Sequence, residues 1–189
     1  TRRSSDLAMA VSPTDPAYVI YHASADAKPV GVLQLHQTIT NLADFQEQDW
    51  PIEKNAADRF GQFAAAGADV FIQELFTALL KLQQLVIIPS AVKSSGRELV
   101  RFVADQQLQY LFLPAAYLDR LAVTALEMKV SFPQLKKIIV AGEVLNITRS
   151  VRAFFAQCPQ LNLVNQYGAP ETQAMTQLTL PEDVNSWKN

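Results

Sequence analysis

The stretch from Asp15 to Val32 reads D-P-A-Y-V-I-Y-H-A-S-A-D-A-K-P-V-G-V. Its first part, Ala17–Tyr21, is a short apolar and β-rich run that predicts a strand. Pro29 and Gly31 are typical of the end of a loop. A second apolar run, Val32–Leu35, predicts the next strand. The stretch therefore predicts a strand, a loop and a second strand.

The composition of the 189-residue chain is that of a globular protein, with 49% hydrophobic and 18% charged residues. A net charge of -2 without a basic cluster argues against a nucleic-acid surface. One cysteine, Cys158, and two histidines offer neither a disulfide framework nor a zinc site. No apolar run approaches the length of a membrane span. We therefore expect a cytoplasmic protein that contacts neither nucleic acid nor a membrane.

Apolar runs alternate with amphipathic stretches along the rest of the chain, which predicts strands near 59–65, 85–88, 108–114, 135–141 and 161–165 with helices between them. This order predicts an α/β fold with a layered, mostly parallel β-sheet and helices on both faces. Residues 1–14 form a predicted lead-in or linker, and residues 15–189 a single domain. The predicted buried residues of the central strands are Ile20, Val86, Ile87, Leu111, Leu113, Ile138, Ile139, Val140 and Leu163.

The opening stretch resembles the phosphate-binding motif of adenylate-forming enzymes, above all the adenylation domains of nonribosomal peptide synthetases. The family pattern is Y-x-x-Y-T-S-G-S-T-G-x-P-K-G-V, and this chain keeps in register Tyr18, Tyr21, Lys28, Pro29, Gly31 and Val32. Where the family has T-S-G-S-T-G, residues 22–27 read H-A-S-A-D-A, and Val30 stands at the family's lysine. The fold that this resemblance implies is part of the adenylate-forming N-terminal core.

A loop that cradles phosphates needs glycines, hydroxyl donors and a cation, because backbone N–H groups must approach the phosphate oxygens and offset their charge. No glycine lies between His22 and Val30, Ser24 is the one hydroxyl, and Asp26 adds a negative charge. Lys28 is a cation at a position that the family leaves variable. We therefore interpret the loop as an ordinary connection between the two predicted strands.

Residues 66–82 carry a broad apolar stripe at helical spacing, and this run resembles a second family motif, F-D-x-x-x-x-E-x-F-x-x-L, with Asp69, Glu74 and Phe76 matching. In amino-acid-activating members the aspartate grips the substrate's ammonium group. The alternative is a helix cap, and we expect Asp69 to cap the helix or to face solvent. By resemblance, a vestigial substrate pocket would be lined by Asp69, Gln73, Phe112, Ile139, Ala141, Gln166, Ala174 and Met175.

Residues 165–172, N-Q-Y-G-A-P-E-T, resemble the family's N-x-Y-G-P-T-E-T. In the family the tyrosine lies near adenine, the threonine before the glutamate meets phosphate, and the glutamate, here Glu171, helps to hold magnesium. Pro170 stands at that threonine, so a hydroxyl and a backbone donor are lost. Glu171 is thus at the family's magnesium position, without a predicted metal site. The vestigial nucleotide-binding positions are Ser24, Lys28, Gly142, Glu143, Tyr167, Gly168 and Glu171.

The resemblance covers almost the whole chain but only the central part of an adenylation domain, whose later motifs we expect to be missing. We predict a degenerate, catalytically inactive adenylation-like domain that serves as a structural or docking element beside neighbouring synthetase domains. No catalytic residue and no cofactor are expected; ATP and magnesium would be needed only if the family activity survives. Two alternatives stay open: a binding module that keeps an acyl or amino-acid pocket, and part of an active ATP-dependent carboxylate-activating enzyme.

Overall fold

The computed structural model describes residues 10–23, 28–49 and 57–188, in which strands and helices alternate along most of the chain. The strands are β1 (Pro16–Ala23), β2 (Pro29–Leu35), β3 (Arg59–Gln62), β4 (Gln84–Ile87), β5 (Tyr110–Leu113), β6 (Lys137–Val140), β7 (Asn162–Ala169) and β8 (Gln173–Thr179). The helices are α1 (His36–Asp49), α2 (Asp69–Leu80), α3 (Ser90–Lys93), α4 (Gly96–Asp105), α5 (Ala115–Met128) and α6 (Arg149–Gln157), followed by a short 3-10 helix (Val184–Ser186).

Six strands form the central sheet in the order β4-β3-β5-β6-β7-β8. Every neighbouring pair in this sheet is parallel except β7 and β8, which are antiparallel. The predicted mostly parallel sheet is therefore confirmed. The chain passes from β3 to β4 on one side and then returns to place β5 on the other side of β3. This reversal makes the carboxyl ends of β3 and β5 a topological switch point, where open α/β sheets form a crevice.

Helices cover both faces of the central sheet, as predicted. Helices α4, α5 and α6 pack on one face, and their buried apolar side chains contact Leu111, Leu113, Ile138 and Val140. On the other face Ala78 of α2 packs against Phe60, Tyr110, Phe112, Ile139 and Val164. Successive side chains of a strand point to opposite faces of the sheet, so these two groups of buried strand residues lie on opposite faces. Gly61 on β3 is required by this packing, since an added Cβ would lie 2.8 Å from the side chains of Leu108 and Leu111.

The helix ends in the described chain follow local side-chain chemistry. The hydroxyl of Thr148 accepts a hydrogen bond from the backbone N–H of Val151 and so caps α6, and Ser95 caps α4 in the same way through Glu98. Pro114 precedes α5, and Lys129 ends that helix in the left-handed conformation, with φ of 55°. These caps fix where each crossover helix starts relative to the strand before it.

Strands β1 and β2 form an antiparallel hairpin that is separate from the central sheet. A hydrogen bond attaches this hairpin to the turn between β7 and β8: Gln34 donates from Nε2 to the carbonyl oxygen of Pro170 over 2.5 Å. The hairpin exposes an apolar surface that includes Val19, Tyr21 and Leu33. The sequence predicted two strands here but not their separation from the sheet.

Three of the predicted core residues are wrong in part, and one of them, Val86, lies on the edge strand β4 and is only half-buried. Ile20 is buried, but it lies in the hairpin rather than on a central strand. Ile87 is 69% exposed because β4 is the edge strand of the sheet. The last strand predicted from the sequence, residues 161–165, corresponds to β7, and β8 was not predicted. None of the helices in the described ranges has both the length and the apolar character that crossing a membrane requires.

Candidate functional site

The loops that follow β3, β5, β6 and β7 meet at the carboxyl edge of the central sheet. Two neighbouring cavities lie there, and both are bordered by Val70 of α2 and by Ala141 after β6. The position agrees with the crevice that the sheet topology creates at β3 and β5. The site is therefore placed by the order of the strands rather than by a single motif.

The loop between β3 and α2 is held by the carboxylate of Glu74. Its Oε1 accepts hydrogen bonds from the backbone N–H groups of Phe63, at 2.9 Å, and Ala64, at 3.0 Å. Its Oε2 accepts from Gln62 Nε2 at 2.8 Å and from the same N–H of Ala64 at 3.0 Å. Both oxygens are thus occupied by donors of the chain itself, and Glu74 fixes the backbone of the loop.

Burial of Glu74 raises the pKa of its carboxyl from 4.5 to about 7, although its hydrogen bonds from Phe63, Gln62 and Ala64 act in the opposite direction. The side chain is almost completely buried. Glu74 matches the second family motif, but it was not among the residues predicted to line the site. The signal was present in the sequence, because a carboxylate inside the apolar stripe of α2 needs partners to be buried.

The larger cavity has a volume of about 220 Å³ and a mainly apolar lining. Its walls come from the β3–α2 loop, the first turns of α2 and the ends of β5 and β6. The lining residues are Phe63, Ala64, Ala65, Ala68, Val70, Glu74, Phe112, Leu113, Pro114, Ile139 and Ala141. Of the predicted pocket residues, Phe112, Ile139 and Ala141 lie here.

The smaller cavity, of about 30 Å³, brings together five of the predicted pocket positions, namely Asp69, Gln73, Ala141, Gln166 and Ala174. Met175 lines neither of these two cavities and is 60% exposed. A space of this size holds a water molecule but not an amino acid, since one water needs about 10–15 Å³ of such volume. The role of these positions in binding stays a prediction.

A chain of side-chain hydrogen bonds crosses the smaller cavity. Gln73 Nε2 donates to Gln166 Oε1 at 2.9 Å, and Gln166 Nε2 donates to Gln177 Oε1 at 2.7 Å. Gln177 Nε2 in turn donates to Asp49 Oδ2 at 2.5 Å. The chain links α2, β7, β8 and α1. Gln73 and Gln166 are buried. Because the Nε2 of Gln73 is bonded to the Oε1 of Gln166, neither of these two atoms is free to bind a ligand in the cavity.

Asp69 lies in the first turn of α2 and borders the smaller cavity. The N-cap position belongs to Ala68, whose side chain makes no capping bond, and Asp69 accepts a hydrogen bond from the N–H of Val70 at 2.8 Å. Asp69 therefore does not occupy the N-cap position, but it binds a backbone N–H of the first turn, and its side chain is half-buried. Burial and the negative charge of Asp69 together raise the pKa of Tyr18 to about 12.

The predicted nucleotide-binding positions are spread over three loops. Ser24 lies outside the described residues, and Lys28 is exposed at the start of the hairpin's second strand. Gly142 and Glu143 follow β6 and are not buried. Gly142 has φ of 91°, a left-handed conformation that favours glycine. This loop shape thus explains the glycine without a nucleotide.

The β7–β8 turn carries the remaining predicted positions. A Cβ at Gly168 would overlap the carbonyl oxygen of Gln173, so the hairpin itself requires this glycine. The hydroxyl of Thr172 accepts from the N–H of Ala169 at 3.1 Å and stabilises the turn. Tyr167 is exposed on β7. Tyr167, Gly168 and Thr172 match the family motif, and their places in the β7–β8 hairpin do not depend on phosphate.

Glu171, at the family's magnesium position, is exposed and contacts the β1–β2 hairpin. Its Oε1 lies 3.2 Å from Nε2 of His22. The neighbouring Pro170 has neither a hydroxyl nor a backbone donor, and its carbonyl oxygen accepts from Gln34. Within the described ranges, no group of three or more His, Cys, Asp or Glu side chains could hold a metal ion. The described donors do not fit a magnesium–triphosphate group.

Comparison with known proteins agrees with the motifs. Residues 3–188 match the family model described as AMP-binding enzyme. A plipastatin synthase of Bacillus subtilis (strain 168) is 34% identical over 167 residues, which are 88% of this chain and 4% of that protein. Tyrocidine synthase 2 of Brevibacillus parabrevis is 30% identical over 169 residues, which are 89% of this chain and 5% of that protein. The chain therefore spans only a small part of these relatives.

Solved structures share the fold. A nonribosomal peptide synthetase, FmoA3, matches with a TM-score of 0.78 and 22% identity over 89% of this chain and 18% of that chain. The adenylation domain AlmE of Vibrio cholerae, solved in complex with glycyl-adenosine-5'-phosphate, also gives 0.78, with 20% identity over 91% of this chain and 32% of that chain. The match to residues 3–188, the motifs and this fold together establish that the chain belongs to the AMP-binding enzyme family, as an adenylation-domain fragment of the nonribosomal peptide synthetase type.

Proposed function

We propose that this chain is a catalytically inactive adenylation-like domain that acts as a structural or docking element in a nonribosomal peptide or hybrid polyketide synthetase. The observation that carries the proposal is the contact of His22 with Glu171 at 3.2 Å. His22 stands at the first residue of the family's phosphate loop, and Glu171 at its magnesium position. Residues of the two nucleotide motifs therefore contact each other.

The chemistry of the phosphate positions supports the same proposal. A triphosphate carries several negative charges, and its binding relies on backbone N–H groups, a cation and a metal ion. In this chain the loop has no glycine between His22 and Val30, and Pro170 cannot donate. Magnesium relies on substrate phosphates for part of its shell, so loss of the phosphate donors also weakens the metal site.

The scaffold, in contrast, is intact. The core side chains on both faces of the central sheet are buried, and the loop after β3 is held by Glu74. A buried core together with altered phosphate-binding positions is what we expect of a domain that contacts its neighbours through its surface and does not catalyse a reaction. The proposed partners are neighbouring domains of a multidomain synthetase in the cytoplasm.

The proposal is tested by grafting this chain's residues into AlmE, the adenylation domain solved with an adenylate. The AlmE positions that align with residues 22–27, 30 and 170 receive the residues of this chain. We expect ATP–pyrophosphate exchange to fall by at least about 100-fold, because several phosphate donors are removed together. The matched control receives only the change that corresponds to Ala169, in the same turn, and should keep its exchange activity. Full exchange in the main graft would contradict the proposal.

A direct titration separates the alternatives. Calorimetry with ATP and magnesium on this chain should give a dissociation constant no tighter than about 1 mM, or about -4 kcal/mol. A micromolar constant would contradict the inactive-domain proposal. ATP–pyrophosphate exchange by the polypeptide that carries this chain would favour the second alternative, part of an active ATP-dependent carboxylate-activating enzyme.

A further inference from the structure

The interface between α1 and α2 contains a third cavity, which we call the interhelical cavity, with a volume of about 10 Å³. Side chains of the hairpin, of both helices and of β8 line it, and Leu42, Ile72 and Phe76 form an apolar part of its wall. Among the described residues, none lines both this cavity and the larger one. A space of this size holds one water molecule and no larger ligand.

Three residues that line this cavity each carry a buried polar atom without a hydrogen-bond partner among the described residues. These atoms are the hydroxyl oxygen of Tyr18 on β1, Nε2 of Gln46 on α1 and Nε2 of Gln173 at the start of β8. The three residues are far apart in the sequence, and the tertiary fold brings them to one cavity. The large majority of buried side-chain polar atoms are hydrogen-bonded, so three exceptions at one cavity indicate a shared partner.

Gln46 has one end of its amide bonded within the protein and the other end without a partner. The residue is 1% exposed, and its Oε1 accepts a hydrogen bond from the hydroxyl of Thr77 at 2.6 Å. Rotation of the amide by half a turn would exchange its two ends, and one of them would still need a partner. The need for a further bonding group therefore does not depend on the orientation of this amide.

Gln173 has an unusual backbone conformation beside the same cavity. Its φ is 56°, in the left-handed region that residues with a Cβ rarely adopt. The residue is buried, and its carbonyl oxygen accepts a hydrogen bond from the hydroxyl of Thr172 at 3.2 Å. The β7–β8 turn thus fixes the backbone of Gln173 and places its buried amide at the interhelical cavity.

The chemistry of these three groups defines the ligand. Amide N–H groups donate hydrogen bonds and cannot ligate a metal ion. The hydroxyl of Tyr18 stays neutral, because burial and the charge of Asp69 raise its pKa to about 12. No charged side chain is among the described residues that line the cavity, so an ion would lose its hydration there without compensation. A water molecule has two lone pairs and two hydrogens, and it can therefore bond to all three groups.

We propose that the interhelical cavity binds one ordered water molecule, which accepts hydrogen bonds from Nε2 of Gln46 and Nε2 of Gln173 and donates one to the hydroxyl oxygen of Tyr18. Three hydrogen bonds are typical of a buried water. This water joins the hairpin to α1 and, through β8, to the central sheet. The link needs neither nucleotide nor metal, so it does not depend on the proposed loss of catalysis.

Thermal unfolding of Tyr18→Phe tests the bond to the hydroxyl, because this variant keeps the ring and removes only the oxygen. With the water bound, Tm should fall by about 2–4 °C, the shift expected for one lost hydrogen bond in a domain of this size. Removal of a hydroxyl without a partner would leave Tm unchanged or raise it, and that result would overturn the proposal. Tyr21→Phe, on the same strand and 68% exposed, is the matched control and should shift Tm by less than about 1 °C.

A crystal structure at a resolution that shows ordered solvent locates the water directly. We expect one density peak within about 2.7–3.2 Å of the three polar atoms. Gln46→Met removes the amide but keeps an unbranched side chain, and the peak should be lost. Gln48→Met, at an exposed position of the same helix, should retain it.

The crystal of the unsubstituted chain decides the proposal even if Gln46→Met does not fold. A cavity without a density peak, or a direct hydrogen bond between Gln46 and Gln173 in place of the water, would contradict it. Persistence of the peak in a folded Gln46→Met variant would show that Gln46 does not hold the water. ATP binding is a separate measurement, so failure of either proposal leaves the other interpretable.

Discussion

Gln73 on α2 donates a hydrogen bond to Gln166 on β7 over 2.9 Å, between residues that are 93 positions apart in the sequence. Both side chains are buried, and the pair crosses the smaller cavity. Two positions expected to line a substrate pocket therefore bind each other. The pair also connects α2 to the antiparallel end of the sheet, so it contributes to the fold.

This pair predicts coupled effects on stability. Gln73→Ala leaves the buried Oε1 of Gln166 without its donor, and Gln166→Ala leaves the buried Nε2 of Gln73 without its acceptor. Each loss costs about 1–3 kcal/mol. The double variant should lose less than the sum of the two single losses, with a coupling energy of about 0.5–1.5 kcal/mol. Urea unfolding of the four proteins measures it. Strictly additive losses would mean that the hydrogen bond does not stabilise the fold.

The pKa of Glu74 predicts that stability depends on pH. Burial raises this pKa from 4.5 to about 7, so the folded chain binds the proton more tightly than the unfolded chain. The resulting stabilisation is fully present below pH 4.5 and is lost as the pH rises through about 7. Between about pH 5 and about pH 8 the free energy of unfolding should fall by about 2 kcal/mol from this group.

Glu74→Gln should remove this part of the pH dependence, although it also lowers stability because an amide cannot accept all of the carboxylate's hydrogen bonds. Glu127→Gln, at an exposed position on α5, is the matched control and should keep the pH dependence. Chemical unfolding at a series of pH values is the measurement. The same slope in Glu74→Gln as in the unsubstituted chain would show that Glu74 does not titrate in this range.

Gly168 is predicted to be essential for the β7–β8 hairpin. Gly168→Ala places a Cβ on the carbonyl oxygen of Gln173 and should lower stability by about 1–3 kcal/mol, the usual cost of overpacking. Gly67→Ala is the control, because its Cβ would meet no atom within 4 Å, and it should change stability by less than about 0.5 kcal/mol. Thermal unfolding compares the two. Equal effects would contradict the described register of the hairpin.

Ile138 and Ile87 both lie in short apolar runs of the sequence, but they differ in burial. Ile138→Ala, at a fully buried position on β6, should lower the free energy of unfolding by about 2–5 kcal/mol. Ile87→Ala, on the exposed edge strand, should lower it by less than about 0.5 kcal/mol. Denaturant titrations decide this prediction. A loss below about 1 kcal/mol for Ile138→Ala would contradict its place in the core.

The sequence by itself determined the layered α/β fold and the central parallel strands. The apolar runs at β5 and β6 alternate with helical stretches, and local periodicity is enough to assign such elements. It did not predict β8, because Gln173–Thr179 is a polar edge strand whose hydrogen-bond partner is chosen by the tertiary fold. The exposure of Ile87 was not predicted for a similar reason, because an apolar run does not indicate whether its strand is central or at the edge of a sheet.

For the candidate site, the sequence determined which residues had departed from the family's phosphate chemistry, because residue type at each motif position can be read directly. Only the tertiary structure decided what those residues do now. It brought His22 to Glu171 and Gln73 to Gln166, and it surrounded Glu74 with donors from a separate strand and loop. Hydrogen bonds and cavity volumes depend on distances between residues far apart in the chain. Periodicity and motif spacing report only local order, so they cannot supply these distances.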